Sequence, residues 1–171
     1  MRLEDLNALD ADSAARELLR CCGSSRWTRL MAGARPFADA ATMADVADGV
    51  WGSLGPADWL EAFAAHPTIG AGGPGEAGRE DAARWSDEEQ AGVAGAPEAT
   101  RRRLAKANRE YEARFGYIFI ICATGLTAAE MLEALERRLG HPPDEELRAA
   151  AEEQRKITRL RLAKLLDVSR T

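Results

Sequence analysis

Helix-start and helix-stop signals recur along this chain at short intervals, and they constrain its fold more than any other feature. Asp10 and Asp12 precede an apolar run over residues 14–22, and Gly23 follows at the position of a left-handed helix C-cap. Residues 39–54 place apolar side chains at three- and four-residue steps on one stripe. The pattern predicts a helix in each of these two segments.

A third helix is expected to end beside a histidine. Pro56 suits the first turn of a helix, and Pro67 prevents that helix from continuing cleanly beyond His66. The next stretch, residues 70–79, is rich in glycine and also contains a proline. Such a composition does not hold regular structure, so we expect a mobile surface loop there.

The second half of the chain carries further helix signals. Ser86 and Glu89 have the spacing of a capping box, and a long polar helix is expected over residues 97–115. Thr127 begins a second capping box, since a glutamate follows three residues later. The last helix is expected over about residues 144–166.

Residues 117–123 form the one continuous apolar and β-branched run, directly after a helix-ending Gly116. Periodicity alone does not separate a short strand from the start of a buried helix, and we expect an extended segment. The chain has 171 residues, 46% of them hydrophobic, which suits one domain with one core. The sequence therefore predicts a single all-α domain over residues 1–171, a compact bundle of about seven to nine helices with little or no sheet.

Charge and hydropathy exclude several kinds of partner. A net charge of −5 and a pI near 5.2 oppose binding to nucleic acid, and the basic run at residues 101–103 shares its segment with glutamates, as a solvated helix face does. No long apolar stretch or hydrophobic leader is present, so we expect no membrane partner and a cytoplasmic location. Cys21, Cys22 and Cys122 lack metal-ligand spacing, which favours reduced, mostly buried thiols and no metal site.

Three polar side chains are candidates for chemistry. His66 carries an imidazole that can exchange a proton near neutral pH, although it could equally cap the end of its helix. Glu89 is explained by its capping box, yet a carboxylate near a helix N-terminus can also hold an imidazole or substrate N–H groups. Arg161 points to the packed side of the last helix, where it needs either an internal carboxylate or a substrate carboxylate.

Four sequence blocks, in order and spread over nearly the whole chain, match one known family. The blocks are His66-Pro67-Thr68-Ile69-Gly70, then Ser86-x-x-Glu89-Gln90, then Phe115-Gly116-Tyr117-Ile118-Phe119-Ile120-Ile121-Cys122-Ala123-Thr124-Gly125, and Ile157-Thr158-x-Leu160-Arg161-Leu162. Each block alone is weak, but their order and spread are specific. The chain resembles the 2-oxo-4-hydroxy-4-carboxy-5-ureidoimidazoline (OHCU) decarboxylases.

The resemblance implies an all-helical fold, usually a homodimer, that converts OHCU to (S)-allantoin in urate degradation. It makes His66 the catalytic acid/base residue and Glu89 its neighbour, which orients it. It also implies that Arg161 holds a carboxylate or ring oxygen of the substrate. The other substrate-binding residues that the resemblance implies are Pro67, Ser86, Gln90, Phe119, Ile120, Ile121, Cys122 and Ala123.

The implied reaction suits these residue types. Loss of CO2 from OHCU leaves an electron pair that the adjacent ring C=N accepts, so the substrate is its own electron sink and no metal, thiamine or pyridoxal is expected. The protein must position the substrate, stabilise charge and deliver one proton to one face. We expect His66 to remove the hydroxyl proton as CO2 leaves, while an acid reprotonates the ring carbon.

Two other functions are compatible with a helical fold. The first is a non-catalytic helical module that binds a ureide or a purine metabolite in the same pocket. The second is a helical transcription regulator, which the acidic balance and the missing basic recognition helix disfavour. Only an enzyme would form (S)-allantoin rapidly and as a single enantiomer.

Overall fold

The computed structural model describes residues 1–70, 85 and 87–166 of the chain. These residues contain helices and no strand, which confirms the prediction of an all-α fold with little or no sheet. Residues 85 and 87–89 are helical as well. The helices with defined bounds are α1 (Leu3–Ala8), α2 (Ala11–Leu19), α3 (Ser25–Gly33), α4 (Ala40–Ser53), α5 (Pro56–Ala64), α6 (Ala91–Ala94), α7 (Glu98–Phe115), α8 (Ala128–Arg138) and α9 (Pro143–Leu165).

Side-chain caps begin several of these helices where the sequence predicts them. Asp10 accepts from the backbone N–H of Ser13 at 2.9 Å to start α2, and Asp39 starts α4 in the same way. Thr127 forms the predicted capping box with Glu130 at the start of α8. Gly116 closes α7 in a left-handed conformation with φ of 81°, which a glycine adopts without steric cost.

The end of α2 differs from the prediction. The left-handed cap expected at Gly23 is wrong, because α2 ends at Leu19 and its C-cap Arg20 has a right-handed φ of −66°. The carbonyl of Leu18 accepts from Cys21 N at 2.9 Å and from Cys22 N at 3.2 Å. These turn hydrogen bonds satisfy the end of the helix before the chain reaches the glycine.

The chain divides into two compact units, and the first contains Met1–Ala62 and the described residues from Arg155 onward. Trp27 is fully buried in it, and its indole N–H donates to the carbonyl of Ala47 at 3.2 Å. Arg35 donates to the carbonyls of Leu6 and Leu9, each at 2.7 Å. Arg35 thereby satisfies carbonyl groups at the C-terminal end of α1.

The second unit contains the described residues of Phe63–Gln154. Its core is built on α7 and α8, with Tyr111 at the centre of an aromatic group. The Tyr111 ring centroid lies 4.7 Å from that of Phe115 and 5.2 Å from that of Phe119. Burial of an aromatic side chain contributes about 1.5–3 kcal/mol, so this group is a main source of stability for the unit.

Residues 117–123 cross this core without regular secondary structure. The segment is neither helix nor strand, and the helix expected after Thr127 begins at Ala128. Phe119 and Ile120 are buried. The apolar run thus forms part of the core of the second unit.

None of the helices in the described ranges combines the length with the apolar character that a membrane span requires.

Candidate active site

His66 lies just beyond the end of α5, as the sequence predicts. The helix stops at Ala64, and the backbone N–H of His66 donates to the carbonyl of Phe63 at 3.1 Å in a closing turn. The imidazole Nε2 lies 2.7 Å from Oε1 of Gln154 on α9. The amide oxygen of Gln154 therefore holds one edge of the His66 ring.

The segment that follows His66 is held by two amide side chains. Nδ2 of Asn108, on α7, donates to the carbonyl of Ile69 at 3.1 Å. The backbone N–H of Gly70 donates to Oε1 of Gln90 at 3.0 Å. Gly70 has a φ of 77°, in the left-handed region that favours glycine. The segment from His66 to Gly70 therefore ends in a tight turn that the side chains of Asn108 and Gln90 hold in place.

Glu89 is buried within the helical residues 87–89. Its chain neighbour Gln90 contacts Gly70, so the block that contains Glu89 is attached to the block that begins with His66. Ser86, the first residue of the predicted capping box, lies outside the described residues, as does most of the predicted loop at 70–79. Pro67 is described and is exposed.

The backbone of the predicted binding segment, residues 119–123, is held by charged side chains. Nη1 of Arg138 donates to the carbonyl of Ile120 at 2.7 Å. The backbone N–H of Cys122 donates to Oε2 of Glu153 at 2.8 Å. The guanidinium of Arg138 also lies over the Phe119 ring, 4.6 Å from its centroid. Alternating backbone groups of this segment are thus already hydrogen-bonded within the protein.

A buried ionic cluster is connected to this segment through Arg138. Oε1 of Glu146 accepts from Nε of Arg138 at 2.8 Å and from its Nη2 at 2.6 Å, and it also accepts from the hydroxyl of Tyr111. The second carboxylate oxygen lies 2.8 Å from Nδ1 of His141. Burial, followed by the hydrogen bond to Glu146, raises the pKa of Tyr111, so the phenol stays protonated and donates.

Arg161 is buried on α9, as its position on the packed stripe predicts. Its charge is close enough to Cys21 and Cys22 to favour their thiolates, but burial dominates and raises the pKa of Cys22 to about 12.

Cys21 and Cys22 are free, buried thiols, and Cys122 is a free, half-buried one. The prediction of reduced, mostly buried cysteines is confirmed.

Sequence reasoning missed Gln154, Asn108, Arg138 and Glu153 as residues that hold the candidate site. A signal for Gln154 was present, because position 154 falls on the buried stripe of α9 between Ala151 and Thr158.

In residues 1–70, 85 and 87–166, no group of three or more His, Cys, Asp or Glu side chains is arranged to hold a metal ion. The expected absence of a cofactor stays a prediction.

This chain is similar to known proteins of one family. Residues 7–163 match the family model of the OHCU decarboxylases. The uric acid degradation bifunctional protein TTL of Arabidopsis thaliana is 43% identical over 86% of this chain and 45% of its own length. The OHCU decarboxylase of Mus musculus is 37% identical over 59% of this chain and 56% of its own. The chain spans about half the length of the curated relatives that it matches.

Solved structures give the same result at the level of the fold. A crystal structure of an OHCU decarboxylase in the presence of (S)-allantoin is similar, with a TM-score of 0.76 and 38% sequence identity. The match covers 89% of this chain and 98% of that one. With the family match over residues 7–163, which include His66, Glu89 and Arg161, the chain belongs to the OHCU decarboxylase family.

Proposed function

We propose that this protein decarboxylates OHCU to (S)-allantoin, a step of urate degradation. The observation that carries the proposal is the family match over residues 7–163, which include every block that the sequence singled out. The similar crystal structure was determined in the presence of (S)-allantoin, and the match covers 98% of that chain. Both observations support a small-molecule decarboxylase over a helical module that only binds a metabolite.

In the proposed reaction, the bond between the ring carbon and the carboxylate breaks and CO2 leaves. The bonding electron pair passes into the adjacent C=N, whose nitrogen takes up one proton from solvent. His66 accepts the hydroxyl proton as that oxygen becomes the ring carbonyl, and an acid returns one proton to the neighbouring ring carbon on one face, so that the net uptake is the one proton that replaces CO2. Glu89 orients the imidazole of His66. The imidazole suits this role because its ordinary pKa lies near the working pH, and its ring is held in place by Gln154.

The substrate contacts are also part of the proposal. Arg161 binds a carboxylate or ring oxygen of OHCU, for which a guanidinium is suited because it forms two parallel hydrogen bonds to such a group. Pro67, Ser86 and Gln90 contact the ligand, and the backbone of residues 119–123 lines the pocket. These roles are supported by the resemblance of the four sequence blocks.

The test uses OHCU generated in situ, with allantoin followed by circular dichroism. Without a catalyst, allantoin forms slowly and as a racemate, whereas the full chain should form the (S) enantiomer rapidly. Replacement of His66 by Ala or Asn should remove nearly all turnover while the far-UV spectrum stays helical. Binding of a metabolite without any increase in rate would favour the non-catalytic module, and full activity of His66→Asn would exclude the role of His66.

We also propose a homodimer, which is supported by the resemblance to the family alone. Light scattering on the purified full chain measures its mass in solution, and a mass of one chain at micromolar concentration would contradict a stable dimer.

A further inference from the structure

Two side chains hold the peptide groups on either side of Ile121. Nη1 of Arg138 donates to the carbonyl of Ile120 at 2.7 Å, and Oε2 of Glu153 accepts from the backbone N–H of Cys122 at 2.8 Å. A guanidinium donor and a carboxylate acceptor form stronger hydrogen bonds than neutral groups do. The segment has no regular secondary structure, so these side chains, and not a helix or a sheet, fix its backbone.

The directions of the backbone groups of Ile121 follow from these two contacts. Both peptide bonds of Ile121 are trans, so the C=O and the N–H of each peptide point to opposite sides. The N–H of Ile121 therefore points away from the guanidinium that holds the Ile120 carbonyl. By the same geometry, the C=O of Ile121 points away from the carboxylate of Glu153. One residue thus presents a donor that faces away from Arg138 and an acceptor that faces away from Glu153.

The guanidinium of Arg138 is itself held in one orientation. Its Nε and Nη2 donate to Oε1 of Glu146 at 2.8 Å and 2.6 Å, and its carbon lies 4.6 Å from the ring centroid of Phe119. Arg138, Glu146 and Phe119 are all buried. The donors of a planar guanidinium have fixed relative directions, so the contacts with Glu146 determine where Nη1 lies. A buried ion pair therefore sets the position of the Ile120 carbonyl.

We propose that Arg138 is a positioning residue for the reaction, which directs the N–H of Ile121 toward the substrate by holding the carbonyl of Ile120. The inference rests on the proposed function, in which the backbone of residues 119–123 lines the pocket. OHCU has carbonyl groups in its ring and in its ureido group, and each can accept from a backbone N–H. Arg138 does not touch the substrate in this role, because it acts through the peptide between Ile120 and Ile121.

Arg138→Lys separates the hydrogen bond to Ile120 from the charge beside Glu146. The ammonium of a lysine still neutralises the carboxylate, but it lacks the planar set of donors that reaches both groups at once. The peptide then loses its fixed direction, so KM for OHCU should rise about fivefold to tenfold, the effect of one hydrogen bond. The change in kcat should stay below about twofold, because this contact is made equally in the ground state and the transition state.

Two control variants separate this role from a purely structural one. A variant that only loses stability contains less active protein, which lowers the apparent kcat and leaves KM unchanged. Tyr111→Phe is such a variant, because it removes the phenol that donates to Glu146 and leaves the contact between Arg138 and Ile120 in place. Arg137→Lys, at an exposed position of α8, should retain both the kcat and the KM of the wild type.

The carbonyl of Ile120 can be observed directly by NMR. One isoleucine follows another only at positions 120 and 121, so the full chain labelled with 13C- and 15N-isoleucine gives one signal that correlates the Ile120 carbonyl carbon with the Ile121 N–H. A hydrogen bond to a carbonyl moves its 13C resonance downfield, so this resonance should move upfield in Arg138→Lys and stay in place in Arg137→Lys. Added (S)-allantoin should shift the Ile121 N–H signal, at about five to ten times higher concentration in Arg138→Lys than in the wild type.

A second variant keeps the test decisive if Arg138→Lys does not fold. Arg138→Met combined with Glu146→Leu removes the buried carboxylate together with its cation. The carbonyl of Ile120 again lacks its charged donor, so the same upfield shift and the same rise in KM are expected.

The outcomes distinguish this proposal from the proposed function. A wild type that forms no (S)-allantoin from OHCU would reject the reaction, and with it the role of Arg138 in the reaction. An active wild type with an unchanged KM in the Arg138 variants would keep the reaction and reject that role. An unmoved Ile120 carbonyl resonance, or an equal rise of KM in Tyr111→Phe, would reject it as well.

Discussion

Arg138 and Ile120 are joined by a hydrogen bond of 2.7 Å from the guanidinium Nη1 to the backbone carbonyl. Nε and Nη2 of the same guanidinium donate to Glu146, which is fully buried. One side chain therefore both neutralises a buried carboxylate and holds the middle of the proposed binding segment. Its planar group of donors allows these contacts at the same time, which the single ammonium of a lysine does not.

Replacement of Arg138 by methionine should destabilise the protein strongly. The change leaves the carboxylate of Glu146 buried without its cation, and the loss of one partner of a buried ion pair costs roughly 3–5 kcal/mol. The free energy of unfolding is measured by urea titration followed by circular dichroism. A second replacement, Glu146→Leu, should restore part of the loss because the unpaired charge is then removed as well.

Arg103→Met is the matched control for that experiment. Arg103, on α7, forms an ion pair at 2.7 Å with Glu136, which lies on α8 as Arg138 does. The side chains of Arg103 and Glu136 are 66% and 46% exposed. An exposed ion pair contributes at most about 1 kcal/mol, so this variant should unfold almost as the wild type does. Equal losses for the two variants would contradict the importance of burial at Arg138.

Gly92→Ala should also lower the free energy of unfolding. A Cβ at position 92 would lie 2.0 Å from the backbone oxygen of Leu126 and 3.1 Å from its carbonyl carbon. Backbone atoms do not move aside as flexible side chains do, so we expect a cost of about 1–3 kcal/mol. Thermal unfolding measures the change.

The control for Gly92→Ala lies three residues further along the chain. Gly95 has a φ of −94°, and a Cβ added there would meet no atom within 4 Å. Gly95→Ala should therefore be close to neutral. If both alanine variants unfolded at the wild-type temperature, the close approach of α6 to the carbonyl of Leu126 would be disproved.

The helices were predictable where local chemistry defines both ends. A capping aspartate and a regular apolar stripe gave α4 to within a residue, and Gly116 ended α7 as expected. The end of α2 was not predictable in this way. Turn hydrogen bonds to Leu18 and the burial of Cys21 and Cys22 take the chain out of the helix before it reaches Gly23.

The candidate site was predictable in part, for a related reason. His66 and its position after a helix follow from the proline beside it, and the burial of Arg161 follows from its stripe on α9. The pairing of His66 with Gln154 does not follow from the sequence, because a glutamine has no distinctive spacing and this one lies 88 residues away. The pairing of Arg138 with Glu146 depends on a chain reversal between two helices, which periodicity does not describe.

Glu130 should make a stability contribution that depends on pH. Its carboxylate accepts from the backbone N–H of Thr127 at 2.8 Å and from the hydroxyl of Thr127 at 2.9 Å. These hydrogen bonds, the one to the backbone first, lower the pKa of Glu130 in the folded protein. A carboxyl with a lower pKa in the folded state stabilises the protein above its unfolded pKa, and the effect is lost as the pH falls through the folded pKa.

Glu130→Gln removes this titration and leaves the fold intact. The wild type should therefore have the higher melting temperature at neutral pH, and the gap between the two proteins should shrink to nothing on acidification, as the wild-type carboxyl takes up its proton. The control is Glu133→Gln, at an exposed position of α8 outside the capping box. Melting temperatures measured across the acidic range test the prediction, and a gap that stays constant or widens toward low pH would show that the charge of Glu130 does not stabilise the start of α8.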